Sequence, residues 1–236
     1  MTAILSPITN IFTMFFNGIL NVVNAIGITD TGISYVVAVF LLTLLVRLLV
    51  LPLNIKQMKS QAAMQEIQPE IAKLQKKYKN NPEKANQEMM KLYKEYKVNP
   101  MSGCLPLLIQ MPILFALYYV FMTPEFTNAL QGASFLWIKD LSVGDPLYIL
   151  PILSAGTTYL SSYIMTKSTA SASPENPGMN MSTMNVVMAG MMGFMSIGFP
   201  SMLVMYWIIG NILQMIQTYF LMILPKKRKA KVAKVS

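Results

Sequence analysis

Residues 33–53, ISYVVAVFLLTLLVRLLVLPL, are about long enough to cross the ~30 Å hydrocarbon core of a bilayer as a helix, and Arg47 stands inside this apolar run. At ~1.5 Å per residue, Arg47 lies about 10 Å along such a helix from Asn54, where polar sequence resumes. A cation at the centre of a spanning helix costs about 2.5–3.5 kcal/mol on insertion scales. The usual remedy is a carboxylate within the membrane. Here the ten acidic residues (Asp30, Glu66, Glu70, Glu83, Glu88, Glu95, Glu125, Asp140, Asp145 and Glu175) all fall outside the cores of the apolar runs. Arg47 must be solvated by water, by neutral polar side chains or by a visiting molecule. Two readings stay open: the side chain snorkels to the nearer interface, or it is the fixed positive charge of a polar, water-filled cavity, with Thr43 one turn away on the same face.

Hydrophobic residues make up 54% of the 236 and charged residues 12%, about half the charge of a soluble domain. The expected class is an all-α polytopic membrane protein. There is no histidine, and the lone cysteine, Cys104, cannot form an internal disulfide. No catalytic triad, metal site or cofactor is expected, and bond chemistry in the bilayer is disfavoured.

Net charge is +9, unevenly placed, and this sets the topology. Residues 1–27 carry no charge. Ile8, Phe12, Phe15, Ile19, Val22 and Ile26 recur at helical spacing, with Asn10, Thr13, Asn17, Asn21 and Asn24 on another face. Residues 1–31 are therefore read as an external amphipathic helix lying in the interface, with a further spanning helix as the alternative. Residues 54–100 hold ten lysines against five glutamates, which by the positive-inside rule places them in the cytoplasm. Two stripes (Met64, Ile67, Ile71, Leu74, Tyr78; Ala85, Met89, Leu92, Tyr96) predict an antiparallel helical hairpin over 55–100, with Asn81 as N-cap, Pro82 at the first helical position and Pro69 at a boundary.

Four more spans are predicted, at 103–122, 145–166, 183–200 and 201–224, completing five transmembrane helices in a core of residues 32–224. Gln110 is the strongly polar residue of the second, and an external loop with Trp137 at the interface follows it. Ser154, Thr158 and Ser161 or Ser162 step along the third span and either permit close helix packing or line a wet cavity. In the fifth, Trp207, Asn211, Gln214 and Thr218 make a single polar stripe, while Met202, Leu203 and Val204 are apolar, so a wet face would open inward and be shut outward. The tail, residues 225–236, has six basic residues (Lys226, Lys227, Arg228, Lys229, Lys231, Lys234) and no acidic one. It would fix topology, touch anionic lipid at about 1 kcal/mol per charge, or bind ribosomal RNA phosphates.

The stretch GCLPLLIQMPILFALYYVFM at 103–122 resembles the YidC membrane protein insertases, relatives of the mitochondrial Oxa and chloroplast Albino proteins. QEMMKLYKEYKVNP at 87–100, FLWIKDLSVGDPLYILPIL at 135–153 and FPSMLVMYWIIGN at 199–211 agree, in the same order. The resemblance covers roughly residues 33–224. It implies a cytoplasm-open hydrophilic groove holding one arginine, by position Arg47, with Thr43, Gln110, Tyr206 and Trp207 as neighbours. It also implies a substrate path between the third and fifth spans. Some relatives carry glutamine where Ser162 aligns, which puts that groove contact in doubt. A large extracytoplasmic domain, a lipoprotein cysteine and a transit peptide are missing from this sequence, which points to a multi-pass protein in the plasma membrane of a Gram-positive-type bacterium.

The function expected is that of an insertase and chaperone. Its groove residues would be Arg47, Thr43, Gln110, Ser162, Tyr206, Trp207, Asn211 and Gln214, acting on nascent membrane proteins within the lipid bilayer. The basic tail at 226–234 would engage the ribosome, and a Sec translocon and the signal recognition pathway are further partners the resemblance leaves open. The rival is a transporter for a small anion with Arg47 as its binding site; such transporters often carry inverted repeats, and five spans show none.

Overall fold

The structure is a computed structural model that describes residues 2–99, 105–169 and 181–225. Every regular element among these residues is a helix: α1 (Thr2–Ala25), α2 (Thr31–Leu49), α3 (Leu51–Glu66), α4 (Gln68–Lys77), α5 (Pro82–Glu95), α6 (Leu105–Phe121), α7 (Pro124–Leu130), α8 (Ile149–Thr169), α9 (Met181–Ile197) and α10 (Ser201–Thr218). A π-helical turn, Tyr219–Ile223, prolongs α10. By length and composition α2 and the continuous Ser201–Ile223 can cross a membrane, while Met111–Phe121 and Thr183–Ile197 are apolar but shorter.

α10 is the centre of the bundle, packed against α2, α8 and α6, while α9 packs mainly on α8 and α1 lies on α2 and α6. The main core gathers at the end where α2 begins and α6 ends. There Ala38, Val39, Leu42, Leu117, Val120, Phe121, Phe126, Ile138, Leu141 and Met202 to Tyr206 form one buried cluster. Between helices in lipid, close packing and hydrogen bonds replace water exclusion as the driving force. Gly193 of α9 supplies the first: a Cβ there would sit 2.9 Å from the Ala155 Cβ of α8. Ser196 supplies the second, its hydroxyl 2.9 Å from Ser154 Oγ.

In α1 the apolar stripe read from the sequence is divided between two environments. Phe16 and Val23 are 1% and 0% exposed, whereas Phe15, Val22 and Ile26 of the predicted stripe are 43%, 61% and 70% exposed. At 100° per residue the helix has three faces. Phe12, Phe16, Ile19, Leu20 and Val23 pack on the protein, Ile11, Phe15, Val22 and Ile26 form a free apolar face, and Asn10, Asn21 and Asn24 form an exposed polar one. Phe16, near the middle of α1, meets Tyr35 in the first turns of α2 at 5.5 Å between ring centroids and Phe126 at 4.9 Å.

The run at 33–53 is not one helix. Its first turn is capped by Asp30, which accepts from Ile33 N–H at 2.9 Å, and it breaks at Val50, two residues before Pro52. Beyond α3, α4 and α5 pack together over Ile67, Ile71, Leu92 and Val98, with Asn81 accepting the Lys84 N–H at 3.1 Å and Pro82 opening α5. Tyr93 rather than Tyr96 packs on this seam; Tyr96 is exposed and its hydroxyl donates to Glu70 at 2.8 Å.

Residues 123–148 are a folded cap rather than an open loop. They contain α7, and their main chain is tied to its surroundings: Leu141 N–H donates to Ala133, Ser201 N–H to the Val143 carbonyl at 2.8 Å and Met202 N–H to the Leu141 carbonyl at 3.3 Å. Gly32 lets the cap approach, since a Cβ there would run into the Ser134 carbonyl. α8 starts at Ile149, four residues after the predicted Asp145, which instead caps the turn that leads into it.

Candidate functional site

Arg47 is half-buried on the last turns of α2, facing α10. Its Nη1 donates to Gln214 Oε1, and its Nη2 donates to the Gly210 carbonyl at 2.9 Å. Gln217 Nε2 reaches back to the Arg47 main-chain carbonyl at 3.5 Å. Residues 210, 214 and 217 step by four and three, so one face of α10 receives the arginine. Every one of these acceptors is neutral. Among the described residues the only salt bridge is Lys91–Glu88, on α5. The guanidinium is thus held in place without its charge being cancelled, and it stays able to attract an anion.

The remaining sequence candidates are placed as follows. Thr43, also on α2, is buried and donates to its own helix at the Val39 carbonyl, 2.6 Å away. Asn211 turns from Arg47 toward α8, where its Nδ2 donates to Thr158 Oγ1 at 2.9 Å and Thr157 Oγ1 at 3.3 Å. The α10 polar residues therefore serve two neighbours instead of lining one stripe. Tyr206 is buried, and Trp207 packs partly buried against the main core. Ser162 is half-buried on α8, and its carbonyl accepts from the Thr166 hydroxyl at 2.8 Å. The Gln110 side chain and the basic tail at 226–236 lie outside the described residues. Ser154 belongs to the α8–α9 contact, so the hydroxyl residues of α8 split between packing and polar contact with α10.

Sequence reasoning missed Gly210 and Gln217. A main-chain carbonyl leaves no mark in a sequence. Gln217 does leave one, as a carboxamide three residues after Gln214 in an apolar run.

The end of the bundle beyond Arg47 is closed. Met202, Leu203 and Val204 are 0%, 1% and 3% exposed. The cap over them is braced by Asp145, whose Oδ2 accepts from Leu150 N–H at 2.7 Å and from the Trp137 indole at 3.2 Å, and whose Oδ1 accepts from Leu147 N–H at 3.1 Å. Burial alone would push the carboxyl pKa up; these N–H donations outweigh it and hold the group below the usual aspartate range. Trp137, expected as an interfacial anchor, is a partly buried donor in this brace.

A helical membrane protein with an uncancelled arginine against its central helix is the class this arrangement defines. A family model described as 60Kd inner membrane protein matches residues 27–229. The membrane protein insertase YidC of Clostridium perfringens is 68% identical over 232 residues, covering 98% of this chain and 96% of that one. That of Clostridium tetani is 44% identical over 226 residues, covering 96% and 98%, and the membrane protein insertase MisCA of Bacillus subtilis is 40% identical over 195 residues, covering 81% and 71%. A solved structure described as an active YidC insertase with its first transmembrane domain resolved superposes with a TM-score of 0.65 at 29% identity, covering 93% of this chain and 46% of that one. This chain thus spans about half the length of that solved relative. The chain belongs to the YidC family of membrane protein insertases and is a bacterial membrane protein.

Proposed function

We propose that this protein inserts membrane proteins into the bilayer through a groove that opens to the cytoplasm and contains Arg47. The spans would be α2, α6, α8, α9 and α10, with α1 in the outer interface and α4–α5 and the tail in the cytoplasm. The observation that carries the reading is Arg47 itself, seated on Gln214 and Gly210 of α10 with neutral acceptors only. A hydrophilic segment carrying aspartate or glutamate would be drawn to that charge. At about 4 Å and an effective dielectric near 20, one such pair is worth roughly 4 kcal/mol. The adjoining apolar helix would then slide into lipid past the exposed apolar side chains of α8 and α10, such as Leu160 and Ile216. Closure over Met202 to Val204 confines the polar path to one side. No bond is made or broken; the work is to lower the desolvation cost of moving polar groups into the membrane.

The three-faced α1 supports an interfacial position, with its free apolar face toward lipid and its asparagines toward water. The test is insertion of a matched reporter pair, one with an acidic and one with a neutral translocated segment, into proteoliposomes. Desolvating the two charges offsets most of the Coulomb gain, so Arg47→Ala should lower acidic-reporter insertion about tenfold more than neutral, Arg47→Glu should be worse, and Arg47→Lys should keep most activity. If Arg47→Ala inserts both reporters as wild type does, the charge has no part in insertion.

A further inference from the structure

Among the described residues, three buried side-chain amide atoms have no hydrogen-bond partner: Asn54 Nδ2, Gln57 Nε2 and Gln217 Oε1. A buried amide left unpaired is costly, and native structures contain few. These three are not scattered. Thr43, Arg47, Asn54 and Gln57 are spaced by four, seven and three residues, which keeps one helical face across the single-residue break at Val50. The helical path resumes at once, since Asn54 N–H bonds the Val50 carbonyl at 2.9 Å. Asn54 therefore comes about 10 Å beyond Arg47 and Gln57 a turn further, on the side away from the closed end. Gln217 stands at the level of Arg47 on α10, its Nε2 on the Arg47 carbonyl, so the three amides succeed one another along the path that leads to Arg47. Asn54 and Gln57 are only 9% and 7% exposed, where α3 packs against α8 and α6.

The chemistry on offer is two neutral donors and one neutral acceptor. That is the complement of a peptide main chain, which carries one C=O and one N–H per residue whatever its sequence. We propose that Asn54, Gln57 and Gln217 form a neutral hydrogen-bonding station that takes the main-chain groups of an extended hydrophilic segment on its way to Arg47. The inference rests on the insertase reading and divides its work: Arg47 selects for acidic side chains, and the amides hold the backbone of any segment. Access requires α3 to part from α8, and the break at Val50 is the pivot.

The full-length protein in proteoliposomes tests this with the acidic and neutral reporters and the near-isosteric variants Asn54→Leu and Gln57→Met. Each should lower insertion of both reporters equally, by about two- to tenfold, as loss of one neutral hydrogen bond would. The thermal midpoint should hold or rise, because an unpaired amide has been removed. Unchanged insertion would mean that the amides are merely hydrated, a loss confined to the acidic reporter would make them part of the Arg47 trap, and a loss that follows a fallen midpoint would make them packing residues; each overturns the proposal. In a Cys104→Ser background, Asn54→Cys should form a disulfide with a single cysteine in the hydrophilic segment of a stalled reporter, and failure to do so overturns it as well. A wild-type protein that inserts neither reporter refutes the insertase reading and the station with it; a competent wild type with unaffected variants refutes the station alone.

Discussion

Asp145 holds the 123–148 cap together, and replacing it should loosen that end of the bundle by a graded amount. The carboxylate is 7% exposed and accepts three N–H groups, two at Oδ2 and one at Oδ1. In Asp145→Asn the carboxamide keeps one oxygen. Its better orientation sets that oxygen at the Oδ2 position, retaining Leu150 and Trp137 and turning an NH2 toward the Leu147 N–H. One buried donor is lost, at roughly 1–3 kcal/mol. Asp145→Ala leaves all three donors unpaired and should cost at least about 3 kcal/mol. For a chain of this size about 2 kcal/mol corresponds to roughly 4–8 °C in the melting midpoint.

The assay is intrinsic fluorescence during a thermal ramp in detergent, in a Trp207→Phe background that leaves Trp137 as the single tryptophan. Trp137 reports directly, because its indole N–H is one of the three donors, and its emission should shift to the red most in Asp145→Ala. The pH dependence has a definite sign. A carboxyl held below its ordinary pKa of about 3.9 contributes stability that is fully present above that value and is lost as pH falls through the folded-state value. The midpoint difference between wild type and Asp145→Asn should therefore be flat from about pH 6 to 8 and shrink only below about pH 4. If both variants melt within a degree of wild type with unchanged emission, the brace contributes nothing and the reasoning fails.

Gly32→Ala should also detach the cap, because the new Cβ would meet the Ser134 carbonyl, whose carbon lies 2.8 Å from that position; a lowered midpoint with the cap newly open to protease is expected. Leu92→Ala empties part of the α4–α5 seam and should cost about 2–4 kcal/mol locally, read as faster amide exchange in residues 68–95 with the bundle unaffected. Deleting residues 226–236 should weaken ribosome association with a reduced salt slope while leaving insertion of short post-translational substrates in place; equal binding at low salt would refute a ribosomal role. Asn80→Cys and Ala230→Cys, each in the Cys104→Ser background, should resist impermeant thiol reagents in intact cells, and labelling of either would refute the cytoplasmic placement.

What was legible in the sequence was whatever rests on short-range chemistry. Asn81-Pro82 announces the start of α5 because capping and the proline ring act within one turn. Arg47 announces itself because nothing near it explains a cation in an apolar run. The packing face of α1 was not legible, because apolar residues cover two of its three faces and periodicity cannot say which meets protein and which meets lipid. The folded cap was hidden for another reason: its bonds join Leu141 and Val143 to residues about sixty positions away, and main-chain pairing at that distance leaves no local pattern. The α10 stripe misled because Asn211 and Gln214 lie three residues apart, close enough to share a face in outline yet turned to different neighbours, α8 and α2.

That division on α10 joins the closed end of the bundle to the arginine seat. A helix start leaves its first N–H groups without intrahelical partners. Pro200, at the N-cap of α10, supplies no side-chain bond, and the cap carbonyls of Val143 and Leu141 take the Ser201 and Met202 N–H groups instead. The position of α10 is therefore set at its N-terminal end by a segment that precedes α8, and Met202 to Tyr206 are locked in the main core. Gly210 follows Tyr206 by four residues and Gln214 by eight, so the Arg47 acceptors stand one and two turns below that lock on the same rod. A cap variant that tilts α10 should then act at a distance. Gly32→Ala or Asp145→Ala should narrow the difference between acidic and neutral reporters, because Gly210 and Gln214 would no longer hold the guanidinium in place. If either variant opens the cap to protease yet keeps the full acidic preference, the lower half of α10 is positioned by α8 through Asn211 and not by the cap.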